Sequence, residues 1–326
     1  MYTVCYVLAD GKDLFFYNQL LISLSSLRKR EFSGRVCVVM DTETAQLLKE
    51  KNRCELEEFK AETVIVQIPD EYTQKEKSRY IKTSLREYVT GDFLYIDTDT
   101  VIADVLPDEV SDSDIALVRE WNEEAIEDSD ITSIVALYNR CNYIPDFNFG
   151  YYNSGVIWVR DTEIARQFFI EWHKEWKHCR SCGVSQDQPS LNHVNCKMGG
   201  IITLLDGRWN VQICCVTSLK HLKTALIIHY YNVKWDRMHT IYPLANPEIQ
   251  AGGYQSAEIQ KIIAAPKDAL LPAVFLRLDG VTEEVIHGKA FYTLKKLYTK
   301  HRTVYRGINY VLSLPEKIGK KFRKSR

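Results

Sequence analysis

Short apolar runs alternate with amphipathic helical segments through the first 100 residues, and this order constrains the fold more than any other feature of the sequence. A helix between two strands makes a crossover connection, and such connections are right-handed and leave the two strands parallel. We therefore predict an α/β protein with a mostly parallel sheet and helices on both faces. The strand-like runs are 3–9, 35–41, 62–68 and 93–96, and the helical segments are 15–30, 44–52 and 76–89.

Beyond residue 100 the pattern continues and then changes character. A polar and aromatic stretch at 120–152 predicts a long irregular excursion, and such loops are often functional. The segment 243–253, which contains Pro and Gly, predicts the end of the main domain. We expect one domain over residues 1–245 and a small helical appendage over 246–326. Further strands are expected at 115–118, 155–159, 201–205, 211–215 and 225–230, and further helices at 162–177, 256–264 and 285–300.

The net charge of −1 conceals an uneven distribution of charge. Residues 295–326 contain eleven Lys and Arg and one acid, Glu316, so this basic tail carries +10 and the rest of the chain carries −11. An acidic body argues against a nucleic-acid binder. A basic tail that also contains aromatic and aliphatic side chains predicts attraction to an anionic membrane surface. A tail that is merely solvated is the alternative.

Composition predicts a cytoplasmic location. No run of about 18 apolar residues exists, and the first residues lack the basic and apolar regions of a secretory signal. The nine cysteines are an odd number scattered through strand-like and loop-like segments, which is typical of a reducing compartment. Together with the basic tail, these features predict a cytoplasmic protein that is peripheral at the inner face of a membrane.

The apolar run at 93–96 is followed at once by two acids, Asp97 and Asp99. In an open α/β sheet the carboxyl ends of the strands face the ligand crevice, so these acids are expected where a substrate binds. Carboxylate oxygens suit Mg²⁺ or Mn²⁺, and such an ion also binds diphosphate oxygens. A simple strand-ending turn, in which Asp is a favoured residue, is the alternative for this segment taken alone.

Three later segments bring further polar residues to the ends of apolar runs. One contains a Gly that permits close approach of the backbone, one stands at a predicted helix start before a Pro, and one ends in an imidazole, a common ligand for Mn²⁺-type ions. These ends are expected to face the same crevice as the two acids. The residues are Asn153, Ser154 and Gly155, then Asp187 and Gln188, and finally His229.

With these motifs in this order, residues 3–240 resemble the family 8 glycosyltransferases, which include glycogenin and bacterial lipooligosaccharide galactosyltransferases. The shared motifs are Asp-x-Asp after an apolar strand, Asn-Ser-Gly, Asp-Gln and a late His. The resemblance implies a GT-A, Rossmann-like fold with residues 1–245 as the nucleotide-sugar-binding catalytic domain. It further implies transfer, with retention, of a hexose from a nucleotide sugar, usually UDP-galactose or UDP-glucose, to a glycan or glycolipid acceptor of lipopolysaccharide type.

The same resemblance assigns roles to individual residues. It implies Mn²⁺, or Mg²⁺, held by Asp97, Asp99 and His229. Asp187 and Gln188 would be the catalytic residues that steady the sugar. The implied donor-binding residues are Ala9 and Asp10 at the uracil, Arg79, Asp97, Thr98, Asn153 and Ser154, with Lys234 at the diphosphate.

Two mechanisms are open for retention of the anomeric configuration. In the first, a leaving phosphate oxygen takes the proton of the acceptor hydroxyl while Gln188 and Asp187 steady an oxocarbenium-like sugar. In the second, a covalent adduct forms on Asp187. A leaving diphosphate that is neutralised by a metal needs no protonated carboxylic acid, which favours transfer over glycosidase-type hydrolysis.

Two other functions stay open at this point. A sugar-phosphate nucleotidyltransferase would release pyrophosphate, but residues 9–12 are a poor match to a Gly-rich phosphate loop. A non-catalytic carbohydrate-binding protein on the same fold is the other possibility. The intact acids, amide and imidazole of the four motifs argue against it.

Cysteines and aromatic residues also have competing interpretations. Cys179, Cys182, His193 and Cys196 are spaced so that a structural zinc site is conceivable, but ordinary reduced cysteines are favoured. The aromatic residues of segment 168–176 are expected in the core. Those of segment 121–152 either stack on an acceptor sugar or pack against one another.

Overall fold

The computed structural model describes residues 2–122, 128–213, 218–230, 242–269 and 288–312. It divides the chain into two compact units, Met1–Val274 and Phe275–Arg326. The division lies beyond the predicted boundary at residue 245, because the helix Ala257–Ala264 buries its three Ile side chains in the apolar core of the first unit. Predicted elements over 214–215 and 285–287, and the tail over 313–326, lie outside the described residues.

The first unit contains ten described strands in two sheets. They are β1 (Thr3–Leu8), β2 (Val36–Asp41), β3 (Ala61–Val66), β4 (Phe93–Ile96), β5 (Thr100–Ile102), β6 (Ile115–Arg119), β7 (Tyr152–Val159), β8 (Ile202–Leu204), β9 (Val211–Gln212) and β10 (Ile227–His229). Seven strands form the main sheet in the order β3-β2-β1-β4-β7-β6-β8, and β5-β10-β9 form a small second sheet. In the main sheet β7 runs antiparallel to both of its neighbours, and the other pairings are parallel. The predicted α/β class with a mostly parallel sheet is confirmed.

Helices cover both faces of the main sheet. In the first unit they are α1 (Phe15–Lys29), α2 (Thr42–Glu50), α3 (Glu55–Glu58), α4 (Gln74–Thr83), α5 (Asp128–Arg140), α6 (Glu163–Ser181), α7 (Gln188–Lys197), α8 (Leu219–Leu222), α9 (Pro247–Gln250) and α10 (Ala257–Ala264). The second unit contains α11 (Lys289–Lys300) and α12 (Arg302–Leu312). Among the described helices, none combines the length and the apolar composition that crossing a bilayer requires.

Two apolar cores lie on opposite faces of the sheet because successive strand residues point in opposite directions. On β1, Tyr6 packs in the core that includes the Leu side chains of α1, whereas Cys5 packs in the core that includes α6. In the second core Phe168 and Trp172 are fully buried. The prediction that the aromatic residues of segment 168–176 are core residues is confirmed.

The predicted irregular excursion is wrong over part of its length, because 128–140 form α5. Adjacent β-branched residues such as Ile134 and Val135 weaken the helical signal in this segment. Tyr138 of α5 is buried with Tyr143 and Tyr151 in a small separate core. These aromatic side chains therefore pack against one another, which was the second of the two expectations for this segment.

The cysteines that suggested zinc have other neighbours. The Cys179 thiol donates to the Tyr143 hydroxyl at 3.3 Å, and Cys196 donates to the Asp146 carbonyl at 3.3 Å. His193 stacks on the ring of Tyr143 with centroids 3.7 Å apart. Within the part of the chain that the structure describes, these side chains form no group of three metal-ligating residues. Ordinary cysteines are the better interpretation.

Candidate metal centre at the sheet edge

Two carboxylates and an imidazole meet at the carboxyl end of β4, a central strand of the main sheet. Asp97 and Asp99 lie in the turn between β4 and β5, and His229 is the last residue of β10. Because β10 pairs antiparallel with β5, His229 stands opposite Thr100, directly beside this turn. One ligand atom from each of the three side chains lies within 4.8 Å of the others. The structure thus brings together the three residues predicted to hold a metal.

The chemistry of this group fits a hard divalent ion. Opposite ligands of a Mg²⁺ ion are about 4.2 Å apart, since each lies about 2.1 Å from the metal. The Nε2 atom of His229 is 3.0 Å from Oδ1 of Asp99 and 3.9 Å from Oδ2 of Asp97. Carboxylates with one imidazole suit Mg²⁺, Mn²⁺ and related ions. Within the described ranges this is the one such group of His, Cys, Asp or Glu side chains.

Asp99 and His229 perturb each other's protonation. Burial alone would raise the pKa of Asp99 and lower the pKa of His229. The charge and hydrogen bond between the two groups act in the opposite direction and prevail, so the pKa of Asp99 is lowered and that of His229 is raised. Asp99 is therefore held as the carboxylate, and metal binding requires that the imidazole release its Nε2 proton.

A row of amide side chains holds the other nitrogen of His229. Nδ1 lies 3.1 Å from Oδ1 of Asn210, whose Nδ2 donates to Oδ1 of Asn153 at 2.8 Å. Nδ2 of Asn153 in turn donates to Oε2 of Glu120 at 2.8 Å. Gly155 leaves the space for this arrangement, since a Cβ atom there would lie 2.3 Å from Cε1 of His229. The predicted close approach at Gly155 is confirmed.

A buried ammonium group lies between the acids of the site. Nζ of Lys82, on α4, is 3.1 Å from Oδ1 of Asp97, from Oδ2 of Asp187 and from Oγ of Ser154. The Tyr95 hydroxyl also donates to Oδ1 of Asp97. This leaves Oδ2 of Asp97 as the oxygen that faces the imidazole at 3.9 Å. Lys82 thereby orients one carboxylate of the metal centre while it neutralises a second one.

Asp187 is fixed as an anion immediately before α7. Its burial would raise its pKa, but Lys82 and Arg79 act more strongly and hold the pKa of Asp187 well below its usual range. Nε of Arg79 lies 3.6 Å from Oδ1 of Asp187, and the Ser154 hydroxyl donates to Oδ2 at 2.7 Å. Arg79 and Ser154, both predicted on the donor side, therefore share Asp187 as a partner.

Gln188, the first residue of α7, is joined to the same network. Its Nε2 donates to Oε2 of Glu120, the oxygen that also accepts from Asn153. Glu120 directly follows β6, and burial raises its pKa to about 6 even though both amides stabilise the carboxylate. The predicted Asn153, Asp187 and Gln188 thus lie in one network with the metal-centre residues.

The residues predicted to contact the nucleotide base lie at the same edge of the sheet. Ala9 and Asp10 follow β1, which pairs in parallel with β4. The carboxylate of Asp10 accepts from two backbone N–H groups at 2.8 and 2.5 Å and so stabilises the approach to α1. Its role at a uracil base stays a prediction. Thr98 lies in the metal-centre turn, and Lys234 lies outside the described residues.

Four residues of this network do not emerge from the sequence motifs: Lys82, Tyr95, Glu120 and Asn210. Lys82 had a signal, since it lies one helical turn after Arg79 on the same face of α4. Glu120 had one as well, because it directly follows a strand, as Asp97 does. Asn210 follows a short 3₁₀ turn, and nothing in its local sequence distinguishes it.

Comparison with known proteins finds structural likeness without a sequence match. No protein-family model and no curated protein matches the chain. Among solved structures, the chain is similar to the apo form of mouse xyloside xylosyltransferase 1, with 12% sequence identity and a TM-score of 0.45 over 73% of this chain and 99% of that chain. A likeness at this level carries no statement about function, so the chemistry of the site must be inferred from its own residues.

Proposed function

We propose that this protein is a metal-dependent retaining glycosyltransferase of the GT-A type. It would transfer a hexose from a nucleotide sugar, UDP-galactose or UDP-glucose, to a glycan or glycolipid acceptor. The observation that carries the proposal is the convergence of Asp97, Asp99 and His229 at the carboxyl edge of the sheet, where ligands of α/β proteins bind. The order of the four sequence motifs supports it independently.

A metal bound at this centre would stabilise the leaving group. Asp97, Asp99 and His229 would hold Mn²⁺ or Mg²⁺, which when bound supplies Lewis-acid stabilisation of a departing nucleoside diphosphate. Lys82 orients Asp97 by its contact at 3.1 Å. Because both acids would bind the metal as carboxylates, neither is available to protonate a leaving group in the glycosidase manner.

The residues beside the metal centre would stabilise the sugar during transfer. Gln188 and Asp187 would steady positive charge that develops on the anomeric carbon as its bond to the phosphate oxygen breaks. The acceptor oxygen bonds to that carbon from the same face, and the acceptor proton passes to the leaving phosphate oxygen. Asp187 already pairs with Lys82 at 3.1 Å and accepts from Ser154 at 2.7 Å. These partners weaken Asp187 as a nucleophile, which supports the front-side reaction over a covalent adduct.

Intact-protein mass spectrometry separates these two mechanisms. The enzyme is trapped with a slowly reacting donor, and its mass is compared with that of the Asp187→Asn variant treated in the same way. The front-side reaction predicts no increase in mass. A hexose adduct on the wild-type protein that is missing from the variant would establish the covalent route.

Thermal-shift measurements with nucleotide sugars test the function itself. UDP-, GDP- and dTDP-sugars are added with and without Mn²⁺, and we expect a UDP-hexose to stabilise the protein in a Mn²⁺-dependent manner. A ligand at about 100 times its Kd adds about 2.7 kcal/mol to the free energy of unfolding. Asp99→Asn should remove the metal-dependent part. Asp104→Asn, at an exposed acid that pairs with Lys267, is the matched control and should retain it.

An activity assay then distinguishes the alternatives. A transferase should release UDP from a UDP-hexose in the presence of metal, even if only by slow hydrolysis. Pyrophosphate release from a nucleoside triphosphate and a sugar phosphate would instead identify a nucleotidyltransferase. Metal-dependent binding of the donor without any turnover would identify a carbohydrate-binding protein. If no nucleotide sugar stabilises the protein with Mn²⁺, the proposed function is wrong.

We also propose that the second unit attaches the enzyme to an anionic membrane surface. No residue of α11 or α12 is buried. Residues 288–312 contain six Lys and Arg and no acid, so the exposed helices combine positive charge with apolar side chains. A cytoplasmic enzyme held at the inner face of a membrane would meet a glycolipid precursor there. The exposed apolar residues are Phe291, Tyr298, Val304, Tyr310, Val311 and Leu312.

A further inference from the structure

The hydrogen bonds that lead to His229 have a fixed direction. An ionised carboxylate can only accept, so Glu120 requires that Asn153 present its Nδ2 atom. Oδ1 of Asn153 then accepts from Nδ2 of Asn210 at 2.8 Å and from the backbone N–H of Gly155 at 2.8 Å. The remaining amide atom of Asn210, Oδ1, faces Nδ1 of His229 at 3.1 Å. Each step follows from the one before it.

This direction decides which nitrogen of the imidazole carries the proton. An oxygen opposite Nδ1 can only accept, so Nδ1 must be the donor. Nε2 faces the carboxylate of Asp99 and so also carries a proton when no metal is bound. Once Nε2 releases that proton, as metal binding would require, the single N–H of the neutral ring is on Nδ1 and the lone pair is on Nε2. Nε2 is the atom that lies 3.0 Å from Asp99 and 3.9 Å from Asp97. The proton is thus placed away from the metal centre.

We propose that Asn210 is a positioning residue that holds His229 in the Nδ1–H tautomer, with Glu120 setting its orientation through Asn153. Asn210 and His229 are almost completely buried, at 0% and 1% exposure, so water does not compete for this hydrogen bond. The inference rests on the proposed metal site. Because Gln188 donates to the same oxygen of Glu120, the sugar-facing amide and the metal ligand share one anchor.

Two substitutions of Asn210 separate positioning from packing. Asn210→Leu has a similar volume and removes the acceptor, and we expect Mn²⁺ affinity, measured from the free-ion electron paramagnetic resonance signal, to fall about 10- to 100-fold. Asn210→Asp keeps an oxygen for Nδ1–H but loses the donation to Asn153, so it should lower stability while it retains most of the affinity. Asn195→Leu is the matched control. Asn195 is also fully buried, but it accepts from the backbone of Ile202 at 2.9 Å, so its substitution should lower stability and leave Mn²⁺ affinity unchanged.

Nitrogen-15 NMR of the His229 ring provides a readout that needs neither metal nor activity. The spectra are recorded in an Asp99→Leu background, because the carboxylate opposite Nε2 would otherwise hold a proton on that atom. The ring signals are assigned by their loss in His229→Gln and recorded at a pH at which the ring is neutral. In this background the proton should be on Nδ1 when residue 210 is Asn or Asp, and Asn210→Leu should lose this preference.

The outcomes distinguish this inference from the proposed function. In the Asp99→Leu background, a ring that keeps its proton on Nε2 beside an intact Asn210 would overturn the inference, as would an Asn210→Leu protein that binds Mn²⁺ as tightly as the Asn195→Leu control. If the wild-type protein binds no Mn²⁺ at all, the metal part of the proposed function fails. The NMR measurement then still decides whether Asn210 sets the tautomer of His229.

Discussion

Lys82 is a buried cation that pairs with two carboxylates of the site. It lies 3.1 Å from Asp97 and from Asp187, and its side chain is 3% exposed. Removing it leaves two carboxylates with no ammonium between them, so Lys82→Met should lower the free energy of unfolding by about 3 kcal/mol or more. Urea unfolding measures this loss.

The same helix provides the control for Lys82. Lys77 is similarly buried on α4, but among the described residues its ion-pair partner is Glu43, whose side chain is 66% exposed. Because that carboxylate regains water when its partner is removed, Lys77→Met should cost about 1 kcal/mol or less. Equal losses for the two variants would contradict the central role of Lys82.

Gly155 makes the approach of β7 to the imidazole possible. A Cβ atom at this position would lie 2.3 Å from Cε1 and 2.6 Å from Nδ1 of His229. In Gly155→Ala the ring must move, so we expect Mn²⁺ affinity to fall at least about tenfold and stability to fall by about 1–3 kcal/mol. Gly307→Ala in α12 meets no atom within 4 Å and is the control. Calorimetric titration with Mn²⁺ compares the two, and wild-type affinity in Gly155→Ala would contradict the prediction.

Glu120 should make stability depend on pH. Its pKa rises from 4.5 to about 6 in the folded protein, so the stabilisation it gives is complete below pH 4.5 and is lost as the pH rises through 6. Glu120→Gln keeps an acceptor oxygen for the two amides and removes this dependence. Relative to the wild type, its free energy of unfolding should therefore increase by up to about 2 kcal/mol between pH 4 and pH 8. A constant difference in urea unfolding across this range would contradict the shift.

At the scale of elements, α1 is joined to the metal-centre turn by a chain of hydrogen bonds. Oγ of Ser23 lies 3.0 Å from the hydroxyl of Tyr6 and 3.0 Å from Oγ1 of Thr100. Oγ1 of Thr100 donates to the backbone carbonyl of Asp97 at 2.9 Å. Since Thr100 donates to Asp97, it accepts from Ser23, and Ser23 accepts from Tyr6. The three hydroxyl groups therefore each donate to the next group, and the last acceptor is the backbone carbonyl of Asp97 in the turn.

Ser23→Ala should weaken both the fold and metal binding. It breaks the support of the turn, and we expect a loss of about 1 kcal/mol in stability together with a several-fold loss in Mn²⁺ affinity. Ser26→Ala lies one turn further along α1 and is equally buried, but its hydroxyl accepts from the backbone of Ile102. It should show the stability loss alone. Mn²⁺ titration of both variants decides, and equal affinities would contradict the effect.

The elements of the sheet are predictable because strands buried on both faces are continuous apolar runs. The sequence predicts Phe93–Ile96 with the bounds that the structure has, and Asp10 and Asp97 lie at the same end of the sheet because β1 and β4 are parallel. Asn153 reaches this end because it lies at the start of the antiparallel strand β7. Asn210 and Lys82 enter from a turn and a helix instead. Their meeting depends on how α4 and the small sheet pack against the main sheet, which no local pattern encodes.

At the scale of the whole molecule, positive charge and exposed apolar surface coincide in the second unit. Within this unit, α11 and α12 contact each other through Tyr298 and Tyr305, whose ring centroids are 5.0 Å apart, and Arg302 lies over the ring of Tyr298. A basic and apolar helix pair of this kind is typical of segments that lie in a membrane interface. This positive charge is opposite in sign to the net charge of the rest of the chain. We therefore expect this unit alone to be attracted to an anionic surface.

Vesicle sedimentation of the 326-residue chain tests whether this charge binds the protein to anionic lipids. Replacing Lys295, Lys296, Lys300, Arg302 and Arg306 by Gln removes five cations, each of which contributes about 1 kcal/mol near an anionic surface. Binding to phosphatidylserine vesicles should therefore decrease by nearly four orders of magnitude, about 5 kcal/mol in total, and wild-type binding should weaken as salt is raised. A five-Gln protein that sediments with anionic vesicles as the wild type does would refute the electrostatic attachment.

A second variant separates charge from apolar insertion. Val304, Val311 and Leu312 are at least half exposed, and replacing them by Ser removes apolar area while every cation remains. If the helices insert into the interface, this variant should lose affinity for anionic vesicles but keep the salt dependence of the wild type, because the two contributions are independent. If only the cations act, its affinity equals that of the wild type, and the helices then lie above the headgroups instead of among them.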